Sequence, residues 1–257
     1  MISISIVSHG QGELVRQVLS DLALFPIPLD AEVLVTLNLP EPLALAATDY
    51  PWPVRILENP SPKGFGANHN AAFHLATGQY FCVLNPDIHL PANPFPVLLE
   101  VIERQQAAVI APAVLSPSGS LDDSIRRFPT LSGLARKALR LTDGRYPFTL
   151  GDAPFAADWV AGMFMLFRAV DYRRVGGFDE NYFLYYEDAD ICVRLWKAGR
   201  SVLACPQAQA VHDARRSSRR NFRYMRWHAA SLLRYLWKYM WRLPRTMAKQ
   251  ADSGYTE

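Results

Sequence analysis

The feature that most constrains this chain is an alternation, over its first 115 residues, of short apolar β-rich segments with helical ones. Strands are predicted over Ile2 to Ser8, Ala31 to Asn38, Val54 to Glu58, Gln79 to Leu84 and Val109 to Pro112. Helices are predicted over Glu13 to Leu24, Ala67 to Ala76 and Pro96 to Gln106, with a poorer one near Pro42 to Ala47. Strands such as Tyr80-Phe-Cys-Val-Leu84 are apolar throughout, so both faces of their sheet must be covered. The pattern implies βαβ units and a Rossmann-like α/β fold, a mostly parallel sheet with helices on both faces. Ligands of such sheets bind beyond the carboxyl ends of the strands, so the residues following each strand carry the functional information.

Those residues are polar or glycine-rich: Ser8, His9 and Gly10, then Asn38, then Asn59 to Asn70, then Asn85-Pro86-Asp87. From Ser116 to Asp158 the pattern weakens into a stretch rich in Ser, Pro, Gly and Arg, with a short helical signal around Leu131 to Leu141. Loops of this length inside a compact domain are usually functional or mobile. Regular structure is predicted again at Trp159 to Phe167, at a helix over Asp188 to Ala198 and at a strand over Ser201 to Ala204.

Asp87 follows a buried strand at the ligand edge, where a carboxylate suits a divalent cation; Pro86 and Asp87 also suit an ordinary turn. Glu187, Asp188 and Asp190 place three carboxylates within four residues. Their mutual repulsion raises the proton affinity of one of them, which suits a general base. The alternative is capping, with Asp188 as N-cap and its neighbours favoured by the helix dipole. His212 lies downstream of the last predicted strand in a polar setting, and Gly64 and Gly66 precede a helix whose N–H groups could face an anion.

In order along the chain these elements are Asn59 with Lys63-Gly-Phe-Gly-Ala-Asn68 and Asn70, Leu84-Asn-Pro-Asp-Ile88, Trp159-Val-Ala-Gly162, and Gly176-Gly-Phe-Asp-Glu180. Phe183-Leu-Tyr-Tyr-Glu-Asp-Ala-Asp190, Arg194 and His212 complete them. The combination resembles the family 2 glycosyltransferases of the GT-A fold, especially their bacterial rhamnosyltransferase-like branch, from Ile2 to about His212. The resemblance implies an inverting transfer from a nucleotide-sugar donor, with dTDP-rhamnose the leading candidate and UDP-linked sugars next. The acceptor would be a glycan or lipid-linked hydroxyl in cell-envelope polysaccharide synthesis. It implies a divalent metal, Mg or Mn, on Asp87 and His212, and Asp188 as catalytic base. Donor contacts would come from Ser8, Asn38, Asn59, Lys63, Gly64, Asn68, Asn85 and Asp87, and acceptor contacts from Trp159, Glu187 and Asp190. One position departs from the pattern. Where such enzymes commonly carry an Asp that reads the nucleotide base, this chain has Leu37 followed by Asn38. The alternative of a non-catalytic nucleotide- or glycan-binding member rests on that residue.

The formal charge of +3 averages two unlike parts. Residues 1–213 carry 16 basic and 22 acidic side chains, whereas residues 214–251 carry 11 basic and none acidic. The expected division is a catalytic domain over 1–213 and a basic amphipathic helical extension over 214–257. In that extension apolar residues at 222, 225, 229, 232, 233, 236, 240 and 243 form a helical stripe. The stripe is expected to dock on the body, while Arg223, Arg226, Arg234, Lys238 and Arg242, with Trp227, Trp237 and Trp241, meet anionic lipid through 219–245. A helix packed within the protein or in a homodimer is the alternative. Basic segments with aromatics also bind nucleic acid, but that would leave the acidic motifs unexplained, so no nucleic-acid partner is expected. The N-terminus reads as a strand and not a signal peptide, and no apolar run reaches the roughly 18 to 20 residues that span a bilayer. A cytoplasmic protein, peripheral on the inner face of the plasma membrane, is expected. Cys82, Cys192 and Cys205 are odd in number and set among apolar neighbours, and are expected as buried free thiols.

Overall fold

The computed structural model describes residues 1–27, 30–43, 45, 49–213 and 222–246. The first half alternates β1 (Ile2–Ser8), α1 (Gly12–Ala23), β2 (Ala31–Leu37), β3 (Val54–Glu58), α2 (Phe65–Phe73) and β4 (Tyr80–Leu84). β5 (Ile88–His89), α3 (Phe95–Arg104) and β6 (Val109–Leu115) follow. Of the poorer helix expected near Pro42 to Ala47, Pro42, Leu43 and Leu45 have no regular structure, and 44, 46 and 47 lie outside the described residues. The weakly patterned stretch contains β7 (Ile125–Arg126), α4 (Leu131–Ala138) and β8 (Phe155–Ala156). Then come β9 (Trp159–Val160), β10 (Phe164–Arg168), α5 (Ala169–Arg174), α6 (Glu187–Lys197), β11 (Val202–His212) and α7 (Phe222–Tyr239).

The main sheet runs β3-β2-β1-β4-β10-β6-β11-β5, with β8 also paired to β11; β7 and β9 form a separate pair. β3, β2, β1 and β4 are parallel, as are β6 and β11, while β10 is inserted antiparallel between β4 and β6. The chain returns past β1 to lay down β4, so the order of strands switches there, and the carboxyl ends of β1, β2, β3 and β4 share one edge. Because β10 runs the other way, its preceding residues, Ala161 to Met163, lie at that same edge, with Asn85 N–H donating to Met163 O at 2.9 Å.

Ile2, Ile4 and Ile6 are fully buried toward α1 and α3, each such burial contributing about 1.5–3 kcal/mol. The intervening serines are buried too, because α2 covers the other face. Ser5 Oγ hydrogen-bonds His69 Nδ1 at 2.8 Å and Ser3 Oγ donates to Glu32 at 2.6 Å. A polar/apolar alternation that reads as half-exposed is thus buried on both sides, with its hydroxyls satisfied. The second core, on the α2, α5 and α6 face, also takes Tyr235 and Tyr239 of α7. Cys82, Cys192 and Cys205 are buried and free.

Two expected elements differ in a way that matters for the site. The continuous strand over Trp159 to Phe167 is two strands, interrupted at Gly162. The last strand does not stop at Ala204: after an irregularity between Cys205 and Gln209 around Pro206 it resumes pairing with β6 and ends at His212, opposite Ile88 of β5. A proline lacks the N–H that a strand ladder needs, which hides the continuation from a pattern reading.

α7 is amphipathic, but its faces are partitioned differently from expectation. Ser231, Tyr235 and Tyr239 are buried, Trp227 stacks on Phe183 with ring centroids 4.5 Å apart, and Lys238 turns inward to Asp179 and Asp190 at 2.8 and 2.6 Å. Most of the stripe expected to dock instead faces outward, including Phe222, Met225, Leu233 and Met240, beside Trp237 and Trp241, each 86% exposed. Buried hydrogen-bonding partners on the body, and not hydrophobicity alone, decide which face is docked.

Candidate functional site

Against the carboxyl edge of the sheet lies a cleft of about 1120 Å³, lined among others by Asn85, Trp159, Gly162, Glu187, Asp188 and His212. Of the residues expected to contact substrates, these are the ones the fold brings together, apart from Gly162, which pattern reading placed inside a strand.

Asp188 lies in the first turn of α6, partly exposed to the cleft. It is not the N-cap: that position is Tyr186, at φ 67°, preceded by Tyr185 at φ 71°. Two successive non-glycine residues in the left-handed region cost about 1–3 kcal/mol each, so the turn must be held from outside. It is held by α7, where His228 packs edge-on to both tyrosines at 5.3 Å and Ser231 Oγ donates to Leu184 O at 2.8 Å. The carboxylate of Asp188 accepts from Gly162 N–H at 3.0 Å and Ala189 N–H at 2.8 Å. A Cβ at position 162 would lie 3.0 Å from the Phe65 ring, tighter than an ordinary contact, so glycine spares either the ring or this backbone a shift.

Burial pushes Asp188 up to about 6, the two backbone N–H groups and Arg126 restraining the rise. Glu187, 4% exposed and with Oε2 lacking a hydrogen-bond partner, is raised well above the usual carboxylate range by burial and by the charge of Asp188. Neighbouring carboxyls thus divide the work, Glu187 retaining the proton and Asp188 carrying the charge near neutral pH. Asp190 does not join them. It is fully buried on the opposite side of α6, bonded to Arg194 Nε at 2.7 Å, Lys238 Nζ at 2.6 Å and Tyr239 OH at 2.7 Å. The expected acceptor contact by Asp190 is therefore replaced by a structural role, anchoring α7.

At the other end of the cleft the completed strand β11 sets His212 beside Asp87, with Nε2 3.3 Å from Asp87 Oδ2. Nδ1 hydrogen-bonds Asp122 Oδ2 at 2.9 Å. Burial opposes a charge on His212, but the Asp122 and Asp87 carboxylates outweigh it and raise the imidazole to about 9. Asp87 Oδ1 is buried without a hydrogen-bond partner. No group of three or more His, Cys, Asp or Glu side chains suited to a metal occurs among the described residues. The pair nonetheless fits a divalent cation completed by ligands from a substrate. Asp87 Oδ1 is an orphaned acceptor, and a carboxylate on the far ring nitrogen is the usual support of a metal-binding histidine. Asp122 was not legible in sequence, since it stands 90 residues from His212 in the weakly patterned stretch.

The remaining expected donor residues form a separate network at the edge and do not line the cleft. Asn38, 4% exposed, donates to Lys63 O at 2.9 Å and accepts from Lys63 N at 2.8 Å and Asn59 Nδ2 at 2.9 Å. Asn59 also donates to Asn68 Oδ1 at 2.6 Å, and Asn68 to Gly64 O at 3.0 Å. Ser8 Oγ accepts from Gln11 N–H at 3.1 Å. These side chains shape the loop before α2, leaving Lys63 exposed. A Cβ at Gly64 would come within 2.7 Å of Phe183 O, so that loop abuts the strained turn. Leu37 is 5% exposed and its side chain belongs to the core; only its carbonyl reaches this edge, accepting from Asn59 N–H at 3.1 Å.

Residues 3–173 match the family described as glycosyl transferase family 2. The chain is 35% identical over 184 residues to the rhamnosyltransferase WbbL of Escherichia coli K12, covering 67% of this chain and 70% of that protein. It is 32% identical over 152 residues to the N-acetylglucosaminyl-diphospho-decaprenol L-rhamnosyltransferase of Mycobacterium tuberculosis, covering 56% of this chain and spanning only half of that protein. Among solved structures, GalNAc-T7 with UDP, GalNAc and Mn2+ shares the fold at TM-score 0.64 and 17% identity, over 84% of this chain and 44% of that one. The mannosyltransferase PcManGT from Pyrobaculum calidifontis, in complex with GDP-Man and Mn2+, does so at TM-score 0.57 and 14% identity, over 91% and 64%.

Proposed function

The chain belongs to glycosyl transferase family 2, with a GT-A fold, and from that premise we propose that it is an inverting, metal-dependent transferase of cell-envelope polysaccharide synthesis. It moves rhamnose from dTDP-rhamnose to a hydroxyl of a glycan or lipid-linked acceptor. The donor follows the named rhamnosyltransferase relatives, and the lipid-linked acceptor the M. tuberculosis protein. UDP-linked sugars are the second donor class; the core position of Leu37, which leaves no carboxylate there to read the base, bears instead on the alternative of a non-catalytic nucleotide- or glycan-binding member.

The observation that carries this proposal is Asp188, an ionisable carboxylate poised near 6 at the wall of the cleft and aimed by the Gly162 N–H. It takes the proton of the acceptor hydroxyl as that oxygen attacks the anomeric carbon. Trp159 and the Tyr185–Tyr186 turn hold the acceptor sugar, and Glu187 stays protonated and supplies a hydrogen bond. Asp87 and His212 would hold the divalent cation, which offsets charge on the departing diphosphate. Asn85 borders the diphosphate, and Ser8, Asn38, Asn59, Lys63, Gly64 and Asn68 shape and border the nucleotide edge.

We assign the outward face of α7 to peripheral membrane contact on the cytoplasmic leaflet. Exposed Phe222, Leu233, Trp237, Met240 and Trp241 with Arg226 and Arg234 support it, and residues 219–221 of the expected segment lie outside the described residues. No helix among the described residues is long and apolar enough to cross a membrane. A homodimer through the same face is the competing use. The test of the function is a screen of nucleotide sugars for thermal stabilisation with added Mn2+, followed by transfer assays. dTDP-rhamnose should stabilise most, Asp87→Ala should abolish the metal dependence, and stabilisation by no nucleotide sugar would sink the proposal.

A further inference from the structure

α4 contributes no buried residue to either core, so its place in the fold is not explained by packing. Its last turn carries Arg136 and Lys137, both on the cleft. Among the described residues neither has an ion-pair or side-chain hydrogen-bond partner. By contrast Arg126 is neutralised by Asp123 at 2.7 Å, and Arg145 by Asp123 and Asp143 at 3.0 and 3.7 Å. The surroundings of Lys137 are net positive as well as partly desolvated, since burial and the Arg126 guanidinium lower its ammonium against the opposing carboxylates. The Asp123 and Asp143 carboxylates that oppose this are already paired with Arg126 and Arg145, which leaves the exposed Arg136 and Lys137 open to an anion.

These cations share the cleft with the base. Arg126 lies within electrostatic reach of both Asp188 and Lys137, and Lys137 within reach of His228 on α7. Apolar side chains accompany them: Leu232 of α7 lines the cleft, while its chain neighbour Leu233, and Leu139 and Leu141 just after α4, are 65–70% exposed.

We infer that Arg136 and Lys137 form an anion subsite for the diphosphate of the acceptor, whose sugar hydroxyl faces Asp188 and whose hydrocarbon chain leaves over the leucines of α7 and those just after α4. The inference rests on the acceptor class proposed above and adds which residues recognise it. Two cations that both reach the cleft match the spread charge of a diphosphate, and an amphiphile accounts for the apolar side chains left exposed near them.

The test is calorimetric titration of the full chain with farnesyl diphosphate, farnesol and dTDP, for wild type and for the R136Q/K137Q variant, with melting temperature as the folding control. Wild type should bind farnesyl diphosphate, and the variant at least tenfold more weakly, with dTDP binding within twofold of wild type. R136K/K137R should restore farnesyl diphosphate binding. No binding of farnesyl diphosphate by wild type, equal binding of farnesol, or unchanged affinity in the variant overturns the inference. A matching loss of dTDP affinity also overturns it, assigning these cations to the donor instead. Binding of dTDP-rhamnose with Mn2+ in the same series reads the glycosyltransferase proposal separately, so the failure of one is distinguishable from the failure of the other.

Discussion

The amide of Gly162 donates to Oδ2 of Asp188 at 3.0 Å, joining a break between two short strands to the first turn of a helix 26 residues later. This bond favours the charged carboxylate against burial, which sets the ionisation of Asp188 near 6.

Asp188→Asn should therefore lower kcat by roughly 10²–10⁴-fold while the melting temperature holds or rises. The sign follows from linkage. A carboxyl whose folded value is raised above its unfolded one binds more protons when folded, so it lowers stability as pH rises through that window, and Asn removes this penalty. In wild type, kcat should fall about tenfold per pH unit below about 6, as the base protonates. A flat profile between pH 5 and 7 would exclude Asp188 as base.

Gly162→Ala places a Cβ 3.0 Å from the Phe65 ring and displaces the amide. Overpacking of this kind costs about 1–3 kcal/mol, read by urea denaturation. Weakening the bond to the charged form raises the Asp188 value, so the acid limb of the pH–rate profile should move to higher pH.

Asp122→Asn removes the carboxylate that holds His212 Nδ1 at 2.9 Å. Partners of this kind are worth roughly 10–100-fold in metal affinity, so Mn2+-dependent binding of dTDP should weaken by that factor in titration calorimetry. Metal-free binding should change little.

Asp190→Asn should destabilise the protein by about 3–5 kcal/mol, because it removes the buried carboxylate that pairs with Arg194 and leaves Lys238 with Asp179 alone. Lys238→Met should cost less, about 1–3 kcal/mol, since Arg194 and Tyr239 remain on Asp190. Both are measured by urea denaturation, and equal costs would contradict the anchoring of α7 through Asp190.

Trp237→Glu with Trp241→Glu changes two residues each 86% exposed. Recovery with anionic liposomes in flotation should fall several-fold, with melting temperature and activity on a water-soluble acceptor unchanged. Undiminished flotation would remove the outer face of α7 from membrane contact.

The sequence by itself determined the α/β class, since apolar strands alternating with helical segments leave few sheets other than one covered on both faces. It also singled out Asp87, Asp188 and His212, because short motifs carry carboxylates and glycines to strand and helix ends. What it could not supply was direction and partnership. Glu187, Asp188 and Asp190 read as one acidic cluster, yet the 100° step of a helix sends Asp190 inward to Lys238 and leaves Asp188 at the cleft. Asn38, Asn59 and Asn68 read as ligand contacts, yet their amides are consumed in bracing one another. The docked face of α7, the Asp122 support of His212 and the cations of α4 were decided by tertiary structure alone. Each depends on groups brought together from distant parts of the chain, and periodicity records only what neighbours along the chain share.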